Sequence, residues 1–290
     1  METKDTQNGH PKPGTYSNCG CQNKLQIIEV SSVGKGTLEV NVVTGSSGTT
    51  KIESTSDVAD LIKVNHNDKA TLQIDAAFPD GSVAYGASTV GFLSKAPAKA
   101  VLTITVPNAA GIQTFTLNGN VVSLDWKGPT LEKGFSATTQ LGTIKASALT
   151  ANSVFIKSNA GSIELGPVKA GDVSLETNLG EIKSSGIEGF KQLLVKNSLG
   201  SINLDLTPSK NALADLNVAT GAITAIVRKY EGKVSASTTV GSTNVTGSTV
   251  VSGQASTRFN GGCEGFVGRE GATGSVKATS AVGAVSLQFI

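Results

Sequence analysis

Along residues 135–290 apolar and polar positions alternate in a pattern that restarts about every 20 residues. Eight glycines mark the restarts: Gly142, Gly161, Gly180, Gly200, Gly221, Gly241, Gly262 and Gly283, at spacings of 19, 19, 20, 21, 20, 21 and 21. Counting back from each glycine, positions minus seven, minus five and minus one are mostly apolar, as in Val173, Leu175, Leu179 and in Leu193, Val195, Leu199. Two residues after the glycines stand Ile144, Ile163, Ile182, Ile202, Ile223, Thr243, Glu264 and Val285, so only the unit at Gly262 breaks that column. Period two predicts a strand with one buried face. Minus one and plus two are both expected to point inward, with the parity changing at a glycine whose free φ suits a corner or bulge.

A unit of strand, corner, short strand and turn cannot bury its apolar face alone and must stack on its neighbours. At roughly 4.8 Å per coil, eight such units make a rod on the order of 40 Å long. The pattern therefore predicts an all-β, single-domain parallel β-solenoid, right-handed, with about 20 residues per coil. Position minus three, expected inside, reads Thr139, Ser158, Thr177, Asn197, Val218, Thr238, Phe259 and Ser280. Small polar groups in that place need internal hydrogen bonds, and a ladder of like groups, each bonding the next coil, would supply them. Outward columns alternate in charge, Lys157, Glu176, Lys196 at minus four and Lys145, Glu164, Lys183 at plus three, as stacked neighbours in register would.

Before this array the pattern is less regular. Residues 1–24 are polar, with no periodic apolar set, and predict a disordered tail. An irregular β region spans 25–110, with short strands expected at 25–30, 37–43, 51–54, 61–65, 71–76 and 101–106 and one helical turn at 57–61. The stretch 78–99, with Gly91, fits an insertion or an imperfect coil. The regular coils then occupy 111–290, and together 25–290 form one domain. Trp126 is expected where the two regimes meet, either as packing or as a ligand-stacking ring. The chain ends inside the repeat at 284–290 with no charge or proline after it, which leaves two expectations: Phe289 and Ile290 fold over the end of the core as a cap, or an open strand edge pairs end to end and gives a homo-oligomer through the C-terminal coil.

Composition narrows the function classes. A formal charge of +2 with 16% charged residues gives no basic footprint for nucleic acid. No run approaches the ~18 apolar residues of a membrane helix. The first 24 residues also lack the apolar core of a secretory leader. Cys19, Cys21 and Cys263 imply no disulfide framework; the Cys-Gly-Cys reads as two free thiols, or as a lipidated or metal-binding tail. Asn244-Val245-Thr246 is a glycosylation sequon at an outward position.

Catalytic chemistry finds little to stand on. Asp172, Glu176, Glu181, Glu188, Asp205 and Asp215 fall in different columns, and acids meant for glycoside hydrolysis must converge. His10 and His66 are the only histidines, too few for a triad or zinc site. The 261–265 stretch lacks the Gly and Asp of a calcium-binding nonapeptide roll and occurs once. The outward Ser237, Thr239, Ser242 and Asn244 do not recur as an ice-binding array would require. No catalytic, metal or cofactor residue is expected.

The run Val101-Leu102-Thr103-Ile104-Thr105-Val106-Pro107, then Gly119-Asn120-Val121, and the repeated Thr177-Asn178-Leu179-Gly180-Glu181-Ile182 and Asn197-Ser198-Leu199-Gly200-Ser201-Ile202 resemble the adhesin domains of the DUF4097 and DUF2807 type found in bacteria and some fungi. The resemblance covers 25–290 and implies a β-solenoid with a cell-surface role and no catalytic residues. A protein or glycan partner held on a solenoid face is the function it suggests. A carbohydrate-active β-helix enzyme and a cytoplasmic filament-forming scaffold remain the alternatives.

Overall fold

The computed structural model describes residues 14–16, 25–47, 49–56, 61–66, 70–78, 98–107, 111–247, 250–251, 262–268 and 271–290. Cys19, Cys21, His10 and Gly91 lie outside them, as do most of the expected tail, helical turn and insertion. Every regular element described is a strand. The first group is β1 (Gly14–Tyr16), β2 (Ile27–Val33), β3 (Thr37–Gly45), β4 (Lys51–Ser56), β5 (Ile62–His66), β6 (Thr71–Ala77), β7 (Lys99–Pro107) and β8 (Thr114–Lys127). The regular array follows as β9 (Gly134–Leu141), β10 (Ile144–Ala146), β11 (Leu149–Thr150), β12 (Ser153–Ala160), β13 (Ile163–Lys169), β14 (Asp172–Leu179), β15 (Ile182–Glu188), β16 (Gln192–Leu199), β17 (Ile202–Thr207), β18 (Leu213–Thr220) and β19 (Ile223–Val227). The last group is β20 (Gly232–Val240), β21 (Thr243–Gly247), β22 (Val250–Val251), β23 (Gly262–Val267), β24 (Gly274–Val282) and β25 (Val285–Phe289).

Each coil contributes one strand to each of two parallel ladders. One ladder runs β9, β12, β14, β16, β18. The other runs β10, β13, β15, β17, β19 and stacks Ile144, Ile163, Ile182, Ile202 and Ile223 in a single buried column. The 25–110 region holds two further coils, β2/β3 and β6/β7, with the long β8 passing through both ladders as a third. Three residues of the expected tail, β1, pair antiparallel with β4.

Coil order in space departs from chain order at both ends. Strands β2 and β3 each lie between a strand of the later coil β6/β7 and a part of β8, so β6/β7 is the outermost coil there, flanked by antiparallel β5 and β4. At the other end β24 is hydrogen-bonded to β18 on one side and β20 on the other, and β25 likewise to β19 and β21. The C-terminal coil is therefore an interior coil. This corrects the expected open edge at 284–290 and the homo-oligomer built on it, because the backbone groups of β25 are paired on both flanks. The unit at Gly262 that broke the column is no coil: β23 runs antiparallel to β20 and covers its outer side.

The corner differs from the expected one at position minus one. Leu141, Leu179, Leu199, Val240 and Val282 point outward, so minus three is the last inward residue before the bend. The polar groups at minus three are satisfied inside the corner. Instead of bonding one another, these side chains reach the corner-glycine carbonyl of the adjoining coil: Thr177 Oγ1 donates to Gly161 O (3.0 Å), Asn197 Nδ2 to Gly180 O (2.8 Å), Ser280 Oγ to Gly221 O (3.0 Å) and Thr238 Oγ1 to Gly283 O (2.9 Å). Val218, apolar at the same position, is likewise buried while Thr220 after it is exposed, so the bend is common to polar and apolar corners.

The corner glycines sit at positive φ; Gly200 has φ 139° and a Cβ there would lie 1.9 Å from Gly180 O. Gly189, at φ 71°, has nothing within 4 Å of the same position. Gly200→Ala is expected to cost more than about 3 kcal/mol in urea denaturation, and Gly189→Ala about 1 kcal/mol, since only the first adds a backbone collision to left-handed strain. Equal costs would mean that the coils do not approach at the glycine column.

At the first regular coils the core is filled by Trp126, Phe115 and Phe135, with ring centroids 4.8 to 5.3 Å apart. Trp126 is wholly buried. That settles its role as packing at the junction and removes it as a surface ring for ligand stacking.

Candidate binding face

Outward residues of the second ladder form the most developed surface feature. In three successive coils the inward alternation skips: Ala146 then Leu149, Leu165 then Val168, and Ser184 then Ile187 are the buried neighbours. Each skip is a bulge that turns Ser147, Gly166 and Ser185 outward. At Gly166 the chains touch, a Cβ there falling 1.9 Å from Ser147 O. The bulge ends at β17, where the pairing register shifts between Ser184 and Ile187. These small residues make the floor of an open trough of about 830 Å³ along the rod axis. One wall is the row Asp125, Lys145, Glu164, Lys183, Asn203, and the trough ends beyond its floor at Asp205 and Ile226.

Charges in and around the trough are paired. Lys145 Nζ lies 2.9 Å from Glu164, and Lys183 Nζ 2.7 Å from Glu181. Arg228 grips Asp205 through two nitrogens, Nε at 2.8 Å and Nη2 at 2.7 Å. The hydrogen bond to Glu181 holds the Lys183 ammonium above its ordinary pKa, and that to Asp205 does the same for Arg228. The expected charge ladders are in register on both faces, with Lys157 2.8 Å from Glu176 on the other one. Surface pairs of this kind contribute at most about 1 kcal/mol each; their use is to fix the pattern of charge presented to a partner.

The six acids of the sequence reading are not brought together. Glu176, Glu181 and Asp205 each have a basic neighbour, and Glu188 lies 3.7 Å from Lys169. Asp172 and Asp215 share a smaller hollow of about 620 Å³ on the first ladder, with Phe155 and Leu194. Register sets them two coils and two residues apart, about 12 Å by strand spacing, beyond the ~5 to 9.5 Å of a glycosidase pair. Among the described residues no three His, Cys, Asp or Glu side chains cluster as metal ligands would. Cys263 is buried in β23, and burial pushes its thiol pKa up, which disfavours the thiolate. Asn244 of the sequon is exposed on β21.

The trough escaped the sequence reading, although a signal for it exists. Position plus five from the first three glycines reads Ser147, Gly166, Ser185, a column of small residues followed by Asp205 and Ile226.

Fold and surface together define a non-sequentially closed parallel β-solenoid whose chemistry lies on open faces. The chain belongs to the Toastrack DUF4097 family, whose model matches residues 28–259. No curated protein matches it. Solved structures similar in fold include two named "putative adhesin": one from Bacteroides fragilis, 14% identical with 98% of each chain covered and a TM-score of 0.45, and one from Parabacteroides distasonis, 11% identical with 98% of each covered and a TM-score of 0.48. A cell adhesion protein of Clostridium sporogenes, also of provisional name, is 12% identical over 97% of this chain and all of its own, with a TM-score of 0.32.

Proposed function

We propose that this protein is a non-enzymatic, adhesin-like interaction module that holds a protein or glycan partner on a face of its solenoid. The observation that carries the reading is the bulge-floored trough. It spans several coils on a rigid backbone, is open along its length, and presents charges already balanced by neighbours rather than convergent free acids. Rigid extended faces bind without ordering costs in the receptor, the setting in which many modest contacts add up to useful affinity. Glycan arrays with and without calcium, alongside a panel of purified surface proteins, would find the ligand class. Ser147→Arg with Ser185→Arg fills the floor with exposed side chains. It is expected to weaken that binding at least about ten-fold with an unchanged melting curve. Turnover of an oligosaccharide, or binding indifferent to the double substitution, would overturn the reading.

A further inference from the structure

The corners that turned Leu141, Leu179 and Leu199 outward form a surface distinct from the trough. Pairing along the first ladder sets the minus-one residues in the order Leu141, Ala160, Leu179, Leu199, Thr220, Val282, Val240. Leu141, Leu179, Leu199, Val282 and Val240 are 49, 50, 50, 48 and 45% exposed. An exposed apolar ridge of this kind, interrupted by Thr220 and lowered at Ala160, marks a contact surface. Around it charge nearly vanishes. The seven corners, residues 140–143, 159–162, 178–181, 198–201, 219–222, 239–242 and 281–284, contain a single charged residue, Glu181, in a chain that is 16% charged. Their flanks are amides, hydroxyls and alanines, stiffened by an Asn178 Nδ2 to Asn159 Oδ1 hydrogen bond and another from Ser198 Oγ to Asn178 Oδ1.

We propose that this corner is the contact surface of a two-fold, antiparallel dimer of the chain, with the axis at Leu199. Three features favour a second copy over another occupant. The ridge repeats at about 4.8 Å, and a second copy carries the same repeat, so that each rung can meet one rung of its mate. A charge-free edge gives a charged partner nothing to compensate its desolvation, whereas it meets itself without repulsion. Side-chain sizes are also self-complementary about the middle rung. With Leu199 on the axis, Leu179 of one copy faces Thr220 of the other, Ala160 faces Val282, and Leu141 faces Val240, while Glu181 falls at the corner of Ala222 and not at its own mate. Isologous contacts of this kind close and do not propagate. A ridge of seven rungs, about 30 Å long, sits at the low end of specific interfaces, so the dimer is expected to be weak, with Kd on the order of 10 µM.

Sedimentation velocity from about 1 to about 500 µM tests this on the full chain. Wild type is expected to dimerise across that range. Leu199→Lys, which places two ammonium groups at the axis, should raise Kd at least about 100-fold while leaving the melting curve at low concentration unchanged. Lys157→Glu on the flat face should leave Kd within about two-fold. With Cys19 and Cys21 replaced by serine and Cys263 buried, Leu199→Cys should oxidise to a linked dimer and Ala160→Cys should not, because only the axis residue meets its own mate. A wild type monomeric throughout, a Leu199→Lys variant that dimerises as before, or equal cross-linking at both positions overturns the proposal. Monomers that instead bind phosphatidylcholine vesicles through the ridge would assign it to a lipid surface and equally overturn it.

Discussion

Replacing Ile182 by Asp is expected to lower stability by more than about 3 kcal/mol, the cost of burying an unpaired carboxylate or holding it protonated. Ile182 is fully buried, stacked between the apolar Ile163 and Ile202 of the adjoining coils. Lys183→Asp, one residue further on and exposed, should change stability by less than about 1 kcal/mol, because both the contact with Glu181 that it gives up and the repulsion from Glu181 and Glu164 that it adds are screened by solvent. Chemical denaturation of both variants makes the comparison. Similar losses would show that the inward and outward faces of β15 are misassigned.

The second large effect concerns the C-terminal coil. Leu287 is fully buried and its strand bonds β19 and β21 together, so Leu287→Asp should again cost more than about 3 kcal/mol. Its distinguishing mark is where the damage spreads. In a solenoid each coil is held by its nearest neighbours, and here the outer neighbour is the chain-earlier coil β20/β21. Hydrogen exchange should therefore accelerate in β20 and β21 as well as in β24 and β25. Protection lost only from 274–290 would mean that β20 and β21 pair directly with β18 and β19.

A similar division runs through the surface. The charge ladders were legible because alternating Lys and Glu at fixed offsets can only be neighbours in register. The trough was not, because a bulge is a backbone event, and Ser147, Gly166 and Ser185 look like ordinary surface residues until the skipped alternation around them is seen. The minus-one leucines misled for a related reason. Leu in an apolar-polar alternation reads as core, but the alternation stops after the inward Thr177 and Asn197, and Leu179 and Leu199 lie on the outside of the bend.

Sequence alone determined the repeat length, the parallel stacking, the isoleucine column and most strands of 25–110, since period and glycine placement report local geometry directly. It also flagged the unit at Gly262 as foreign to the array. Only the tertiary structure decided the order in which the coils stack. Ladder hydrogen bonds are made by backbone groups common to all residues except proline, so β18 can accept β20 or β24 equally well as far as its sequence shows. What separates the two arrangements is burial: with β24 and β25 inserted, the last strand is paired on both sides and β23 covers β20. That advantage belongs to the assembled rod and to no single unit.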